Sequence, residues 1–427
     1  MIDMVGVGPF ITIPFIIGLM RGPVCIVAWL VGALLAYMDG MVWAEMGAKW
    51  PEAGGSYVFL KKLFGEHKLG NYMAFLFIWQ TCIQAPLAVA SGAIGFSQYL
   101  RFLVPLTEIQ MRMVSGGLVI LLVALLYRNI KSIGRISVIL SIITGGTIIW
   151  LICSGFGHFN ASQAFDWSIK GFDSRNLFFV MLGQASLKAI YSYMGYYNVC
   201  HLGAEIKNPA KNIPRSIFIS ITGIAILYLG MQTMILGVIP WQEAAQSKYI
   251  ASTYFEHLYN HTVGQVATVL ILCIALASLF SLLLGYSRIP YAAAKNGDFF
   301  PIFARVHAKH KFPTVSLLAL GALSFIFSLL FKMSEVITAI VIVRILIQFV
   351  SQAAGVIAWH YNKPADNRPF RMPLFPVPAA ISIVLWLFIF FCSDLYYIMG
   401  ALAVILVGTI LYPVQRHFSA KARTQSL

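Results

Sequence analysis

Long apolar runs, separated by short clusters of basic residues, prolines and glycines, repeat along the whole chain. The runs are continuous rather than alternating, which predicts membrane-spanning helices and excludes a membrane β-barrel. Twelve spans are predicted, at roughly 1–19, 23–46, 71–100, 112–127, 134–156, 177–203, 215–239, 263–287, 314–331, 335–358, 376–393 and 395–414. Two of them are interrupted. Span 1 contains Gly6-Val7-Gly8-Pro9-Phe10, where glycine is weak in a helix interior and proline lacks the N–H that bonds back one turn. Taken alone, that stretch is either a simple kink or an unwound segment. In lipid, unwound backbone is tolerated only where it is buried in protein or faces a wet cavity. Span 6 carries a second interruption, Tyr191-Ser192-Tyr193-Met194-Gly195-Tyr196-Tyr197-Asn198. Spans 1 and 6 head two sets of five, 1–157 and 177–358. Matched interruptions in corresponding helices point to an inverted repeat with a binding site near the bilayer middle, which favours unwinding at span 1.

Composition supports this class. The chain has 427 residues, 59% hydrophobic and 11% charged, with a mean hydropathy of +0.81. Soluble domains carry about 25% charged residues. The expected fold is therefore all-α and polytopic, with about 12 transmembrane helices in one domain. It comprises a 5+5 repeat, two additional C-terminal helices (376–414) and a tail at 415–427. The net charge of +15 would suggest nucleic acid in a soluble protein, but here the basic residues lie between apolar runs and no nucleic-acid partner is expected. With the N-terminus inside, 21 Lys and Arg fall on the cytoplasmic side and 7 outside, while Lys188 and Arg344 lie within spans. That bias predicts a multi-pass protein of the plasma membrane, N-in and C-in.

Chemistry-bearing residues are sparse. Six cysteines sit singly in apolar segments, without metal-ligand spacing or the pattern of a disulfide framework. The nine histidines fall mostly in loops or at span ends. No enzyme activity, cofactor or metal centre is expected. The N-terminal run lacks a basic leader and a small-residue cleavage site, so no cleaved signal peptide is expected. Only five residues precede Gly6, reaching about 8 Å in a helix, too short for an inner half-span. Met1 is therefore expected to be a misassigned start or a truncation.

Several stretches together resemble the amino acid–polyamine–organocation superfamily, in its amino-acid permease branch. GVGPF is similar to the glycine-rich break of that family's first helix, and AEMGAKWPEAGGSYVFL (44–60) to its second-helix exit. YSYMGYYN with AEIKNPAKNIPRSI (204–217) is similar to the sixth-helix break and exit, and SRIPYAAAKNGDFFP to the eighth-helix exit. The resemblance covers essentially the whole chain. It implies a leucine-transporter-like fold and transport by alternating access. The implied substrate is an amino acid moved across the bilayer, with H+ or Na+ as a possible coupling ion. A polyamine or other organic-cation transporter, or a substrate sensor on the same fold, is the alternative. A polyamine site calls for carboxylates, and Asp39 is the one mid-span acid of spans 1 to 10.

A zwitterion needs both its charged groups satisfied in a dry site. Amides at Val7, Gly8 and Phe10, beside Gly6, are expected to take the carboxylate at a half-helix N-terminus, with Pro9 at the first helical position. Carbonyls of Tyr191, Ser192 and Tyr193, beside Gly195, are expected to take the ammonium group. Tyr193, Tyr196, Tyr197, Gln80, Gln84, Ser278 and Ser281 are candidates for the pocket wall. Asp39 and Lys188 are expected to pair, or each to face a wet cavity. Arg344 is expected to line the outward path or to pair with an acid. Glu205 is expected to tether a cytoplasmic gate. Some relatives carry a sodium-mimicking lysine in the fifth helix, where the resemblance places Thr144. Ser278 and Ser281, three apart on one helical face, are then the candidate sodium ligands, with helix packing as their other reading.

Overall fold

The computed structural model describes residues 6–52, 54–65, 68–127, 133–167, 172, 174–307 and 312–424. The expectation about the N-terminus falls on residues 1–5, outside that set. Among the described residues the chain is helical, with no strand beyond an isolated bridge between Val306 and Pro313.

Helix α1 runs Gly8–Met20 and α2 runs Ile26–Lys49. The turn predicted after α2 contains a helix, α3 (Ser56–Leu63), entered through Gly54 and Gly55, both at positive φ. Helices α4 (Lys68–Leu103), α5 (Glu108–Tyr127) and α6 (Ile133–Gly155) follow. Between α6 and the next long helix lies the short α7 (Ala161–Ala164). Helix α8 (Arg175–Tyr193) stops at the second interruption and gives way to α9 (Asn198–His201). After α10 (Pro209–Val238) come two short helices, α11 (Trp241–Gln246) and α12 (Ile250–Leu258). Helices α13 (His261–Lys295) and α14 (Thr314–Leu330) come next. Helix α15 (Met333–Arg344) joins α16 (Ser351–Asn362) through a π-helical turn, Ile345–Val350. Helices α17 (Val377–Phe391) and α18 (Leu395–Thr424) end the chain. Among the described residues, seven helices are long and apolar enough to cross a membrane, and four shorter apolar helices accompany them.

Helix α4 is the central post, packed on α13, α14 and α15; α1 lies along α8, and α2 along α8, α10 and α17. Small residues let these backbones approach, as is usual between membrane helices. A Cβ at Gly32 of α2 would lie 3.2 Å from Ala189 and from the Tyr193 ring. Inside α1, Pro14 has no N–H for the Phe10 carbonyl one turn back. The buried Tyr99 hydroxyl of α4 donates to that carbonyl instead, at 3.0 Å, so the helix stays intact and is tied to the post.

The Pro- and Arg-rich connection between α16 and α17 straps the end of α2. Lys49 Nζ donates to Asp366 Oδ1 and to the Asn367 carbonyl, each at 2.6 Å. Glu45 is fully buried; it accepts from the Met372 N–H at 3.1 Å and lies 2.6 Å from His360 Nε2. The Lys49 ammonium, hydrogen-bonded to Asp366, holds that carboxyl below the usual carboxylate range. A carboxyl lowered by folding stabilises above its unfolded pKa, about 3.9, and loses that contribution as pH falls through the folded value. The Asp366 side chain is 27% exposed, so the contribution is at most about 1 kcal/mol. Between pH 5 and pH 3 the apparent melting temperature of the native chain should therefore fall further than that of Asp366→Asn. Equal falls would show that this ion pair does not hold the strap.

Candidate functional site

The two interruptions face each other. Helix α1 begins at Gly8 with Pro9 as its second residue, one position later than predicted, and Val7 caps it with no side-chain hydrogen bond. The N–H groups of its first turn have no partner within the helix. Helix α8 ends in the opposite sense, with Met194 extended (φ −60°, ψ 149°) and Gly195 at φ +114°. A positive φ of that kind is open to glycine at little cost and strains any L side chain. Tyr191 and Ser192, in its last turn, line the same space. The Thr12 and Ser192 hydroxyls, 2.8 Å apart and buried, pin the two ends together.

Between them is a cavity of about 100 Å³, room for several waters or a small polar molecule. Gly6, Val7 and Gly8 form one wall, and Tyr191, Ser192, Gly195 and Tyr197 the facing wall. Helix α4 adds Gln84 and Ser91, α13 adds Ser278 and Tyr286, and α15 adds Arg344. The Ser91 and Tyr191 hydroxyls are 2.9 Å apart, and Gln84 Nε2 donates weakly to Tyr286 Oη at 3.4 Å. A Cβ on Gly6 would lie 3.0 Å from Ser278 Oγ, so the start of α1 touches α13 there.

Not every predicted residue lines this cavity. Phe10 is buried in the core, its carbonyl taken by Tyr99. Tyr193 packs edge-on against Trp29 and beside Tyr228, and its buried hydroxyl has no hydrogen-bond partner among the described residues. Tyr196 turns away to donate to Asp39. Gln80 is buried, with neither amide atom partnered among the described residues. Ser281 and Thr144 are not on the cavity wall. Glu205 is exposed in a short turn, Gly203–Glu205, and makes no ion pair among the described residues.

The expected pairing of Asp39 with Lys188 does not occur. Asp39 is 1% exposed and takes hydrogen bonds from Tyr196, Ser382 (3.1 Å) and Trp386 (3.3 Å). It therefore ties α2 to the interrupted segment and to α17. Lys188 donates instead to the Ser334 carbonyl and the Thr338 hydroxyl of α15, each at 2.7 Å. It lines a second cavity of about 200 Å³, with Phe15, Gln184 and Asp394.

Arg344 departs furthest from expectation. It has no acidic partner among the described residues and lines the central cavity. Its Nε donates to Gln348 Oε1 at 2.7 Å, and the guanidinium lies over the rings of Tyr197 (5.0 Å) and Phe349 (5.2 Å). Ser91, Tyr286, Met194 and Asn198 also line the cavity and were missed in the sequence. The one available signal was local: Met194 and Asn198 belong to the interrupted stretch itself.

Among the described residues, long apolar helices whose ends meet at a cavity with a few polar side chains define an integral membrane protein. The family model described as "Amino acid permease" matches residues 1–412. The chain belongs to that family of amino acid permeases, within the amino acid–polyamine–organocation superfamily. It is similar to the mouse cationic amino acid transporter 4, 24% identical over 379 residues that make up 84% of this chain. Only 58% of that relative is covered, and 54% of its human counterpart. It is also similar to the branched-chain amino acid permease BcaP of Bacillus subtilis, 24% identical with 92% of this chain and 85% of the relative covered. The rabbit large neutral amino acids transporter small subunit 2 is 26% identical, covering 86% of this chain and 68% of the relative.

Proposed function

We propose that this chain is a secondary transporter that moves amino acids across the plasma membrane by alternating access. The observation that carries the reading is the opposition of the two helix ends across one cavity. The α1 amides present partial positive charge and suit the substrate carboxylate; the α8 carbonyls present partial negative charge and suit the ammonium group. Backbone does this without placing a charged side chain on each pole, which would be costly in the membrane interior.

A twelve-span arrangement with a 5+5 inverted repeat fits the helices observed. A two-fold axis in the membrane plane sets spans 1 and 6, 2 and 7, and 3 and 8 beside each other. The contacts of α1 with α8, α2 with α10 and α4 with α13 support that placement. The bias of basic residues supports N-in and C-in. Alternating access then amounts to rocking one set of helices past the other around the interrupted ends, so that the cavity opens to one side at a time. The relatives named above are transporters of cationic, branched-chain and large neutral amino acids, so they share the amino acid and not its side chain. A polyamine is disfavoured because no carboxylate is among the residues lining the cavity. For a coupling ion, Ser278 is the better placed of the two serines, since it meets the unwound start of α1 and Ser281 does not.

The test uses the purified full chain, by thermal shift and by uptake into proteoliposomes. At least one of the twenty amino acids should raise the melting temperature and accumulate inside, because a ligand that binds the folded state stabilises it. If none does either, the reading fails. Uptake that is unchanged in sodium-free buffer would reject a sodium site at Ser278 while leaving transport itself standing.

A further inference from the structure

Arg344 brings a fixed positive charge to the cavity wall. A guanidinium stays protonated at any physiological pH and offers five N–H donors with no acceptor. Here it is 3% exposed, and Gln348 Oε1 accepts from its Nε. Two aromatic faces, Tyr197 and Phe349, receive the charge but supply no counter-ion. The buried acid Asp39 does not line the cavity; Tyr196, Ser382 and Trp386 already donate to it.

A second feature singles out the same place. The helix is regular up to Arg344, then widens into the π-helical turn Ile345–Val350, and Gln348 lies within that turn. Such insertions are rare, and they recur at functional sites because they re-aim the side chains beside them. Here the turn carries the residue that holds the guanidinium against Tyr197, on the same wall as the end of α8.

A buried cation without a carboxylate is expensive unless an anion arrives with a ligand. In a zwitterion held as described above, the α-carboxylate is engaged by the α1 amides. The geometry points to a substrate with a second anionic group, which Arg344 receives: an amino acid with a carboxylate in its side chain. Arg344 is thus the residue that selects the substrate's side chain, and its charge repels lysine, arginine and polyamines. The inference rests on the amino acid permease reading and adds the side-chain class.

The deciding measurement compares isosteres on the unmutated full chain. L-glutamate with L-glutamine, and L-aspartate with L-asparagine, differ in charge at nearly constant shape. Competition and thermal-shift titrations in proteoliposomes or detergent should show at least one acid bound about tenfold or more tighter than its amide. In Arg344→Gln that ratio should fall toward one, whatever the absolute affinities become; Arg344→Lys should retain part of it. Should Arg344→Gln fail to fold, the native comparison still decides. Equal binding of acid and amide by the native chain overturns the inference and leaves an amino acid permease for neutral substrates. Preference for lysine or arginine overturns it as well. Failure of every amino acid to bind would overturn the permease reading along with it.

Discussion

The Asp39→Ala variant should be among the least stable single substitutions in this chain. Three donors converge on that carboxyl, the Tyr196 hydroxyl from the interrupted segment and the Ser382 hydroxyl and Trp386 indole N–H from α17. All four residues are buried, at 2% exposure or less. Removing the acceptor leaves those donors without water to replace it, and each unsatisfied buried donor costs about 1–3 kcal/mol. The hydroxyls can rotate toward other acceptors, whereas the indole N–H is fixed, so the expected total is roughly 3–5 kcal/mol. The apparent melting temperature in detergent should drop by more than about 5 °C. Asp39→Asn keeps one acceptor oxygen and the same shape, and should lose markedly less. The stack of Trp386 on Phe349, with centroids 4.1 Å apart, continues from this hub to the π-helical turn. Uptake should therefore fall in Asp39→Ala beyond what the loss of folded protein explains. An alanine variant that melts with the native chain would mean that these donors find partners elsewhere.

The helices, the start of α1 and the end of α8 were legible because the signals are local. Gly8 and Pro9 cannot continue an inner helix, and Gly195 alone suits a positive φ at the end of α8. Long apolar runs mark the rest. The division of labour among the four tyrosines was not legible. Past Gly195 the helical period is lost, so spacing no longer says which way a ring points. Tyr191 and Tyr197 face the cavity, whereas Tyr193 fills a niche between Trp29 and Tyr228, and Tyr196 reaches Asp39. The Asp39 and Lys188 expectation failed for a related reason. Two opposite charges in apolar spans suggest each other, but neutral donors and carbonyls satisfy them as well in a packed interior. Lys188 settles on the Ser334 carbonyl in the first turn of α15, a partner that carries no sequence signature. For Arg344 the residue was noticed but its location was not, because Gln348, which holds the guanidinium, lies in a π-helical turn that carries no sequence signature. Pro14 is the converse case: proline announces a carbonyl in need of a donor, and only the fold reveals that Tyr99 supplies it.

Gly8→Val should sharply weaken transport while leaving the protein folded. Gly8 is the first residue of α1, and a Cβ there would lie 3.5 Å from Tyr191 Cε1 and 3.7 Å from Ser192 Oγ. Those are ordinary contact distances, so Gly8→Ala is accommodated with no backbone movement and should melt within about 2 °C of the native chain. Its methyl nevertheless lies beside the amides proposed to take the carboxylate, and binding should weaken measurably. Valine adds two further methyls, which must go either into a cavity of only about 100 Å³ or into the seam pinned by Thr12 and Ser192. Overpacking of that kind costs about 1–3 kcal/mol, which is about 5- to 150-fold in affinity if the bound state bears it. Radiolabelled uptake into proteoliposomes, normalised to folded protein, measures the loss. Gly6→Ala is the informative companion, because its methyl would press on Ser278 Oγ at 3.0 Å rather than on α8. If α1 presents its N-terminus to substrate through Gly8 and to α13 through Gly6, the first position should control substrate affinity and the second any ion dependence. Native uptake by Gly8→Val would remove the α1 terminus from the substrate site.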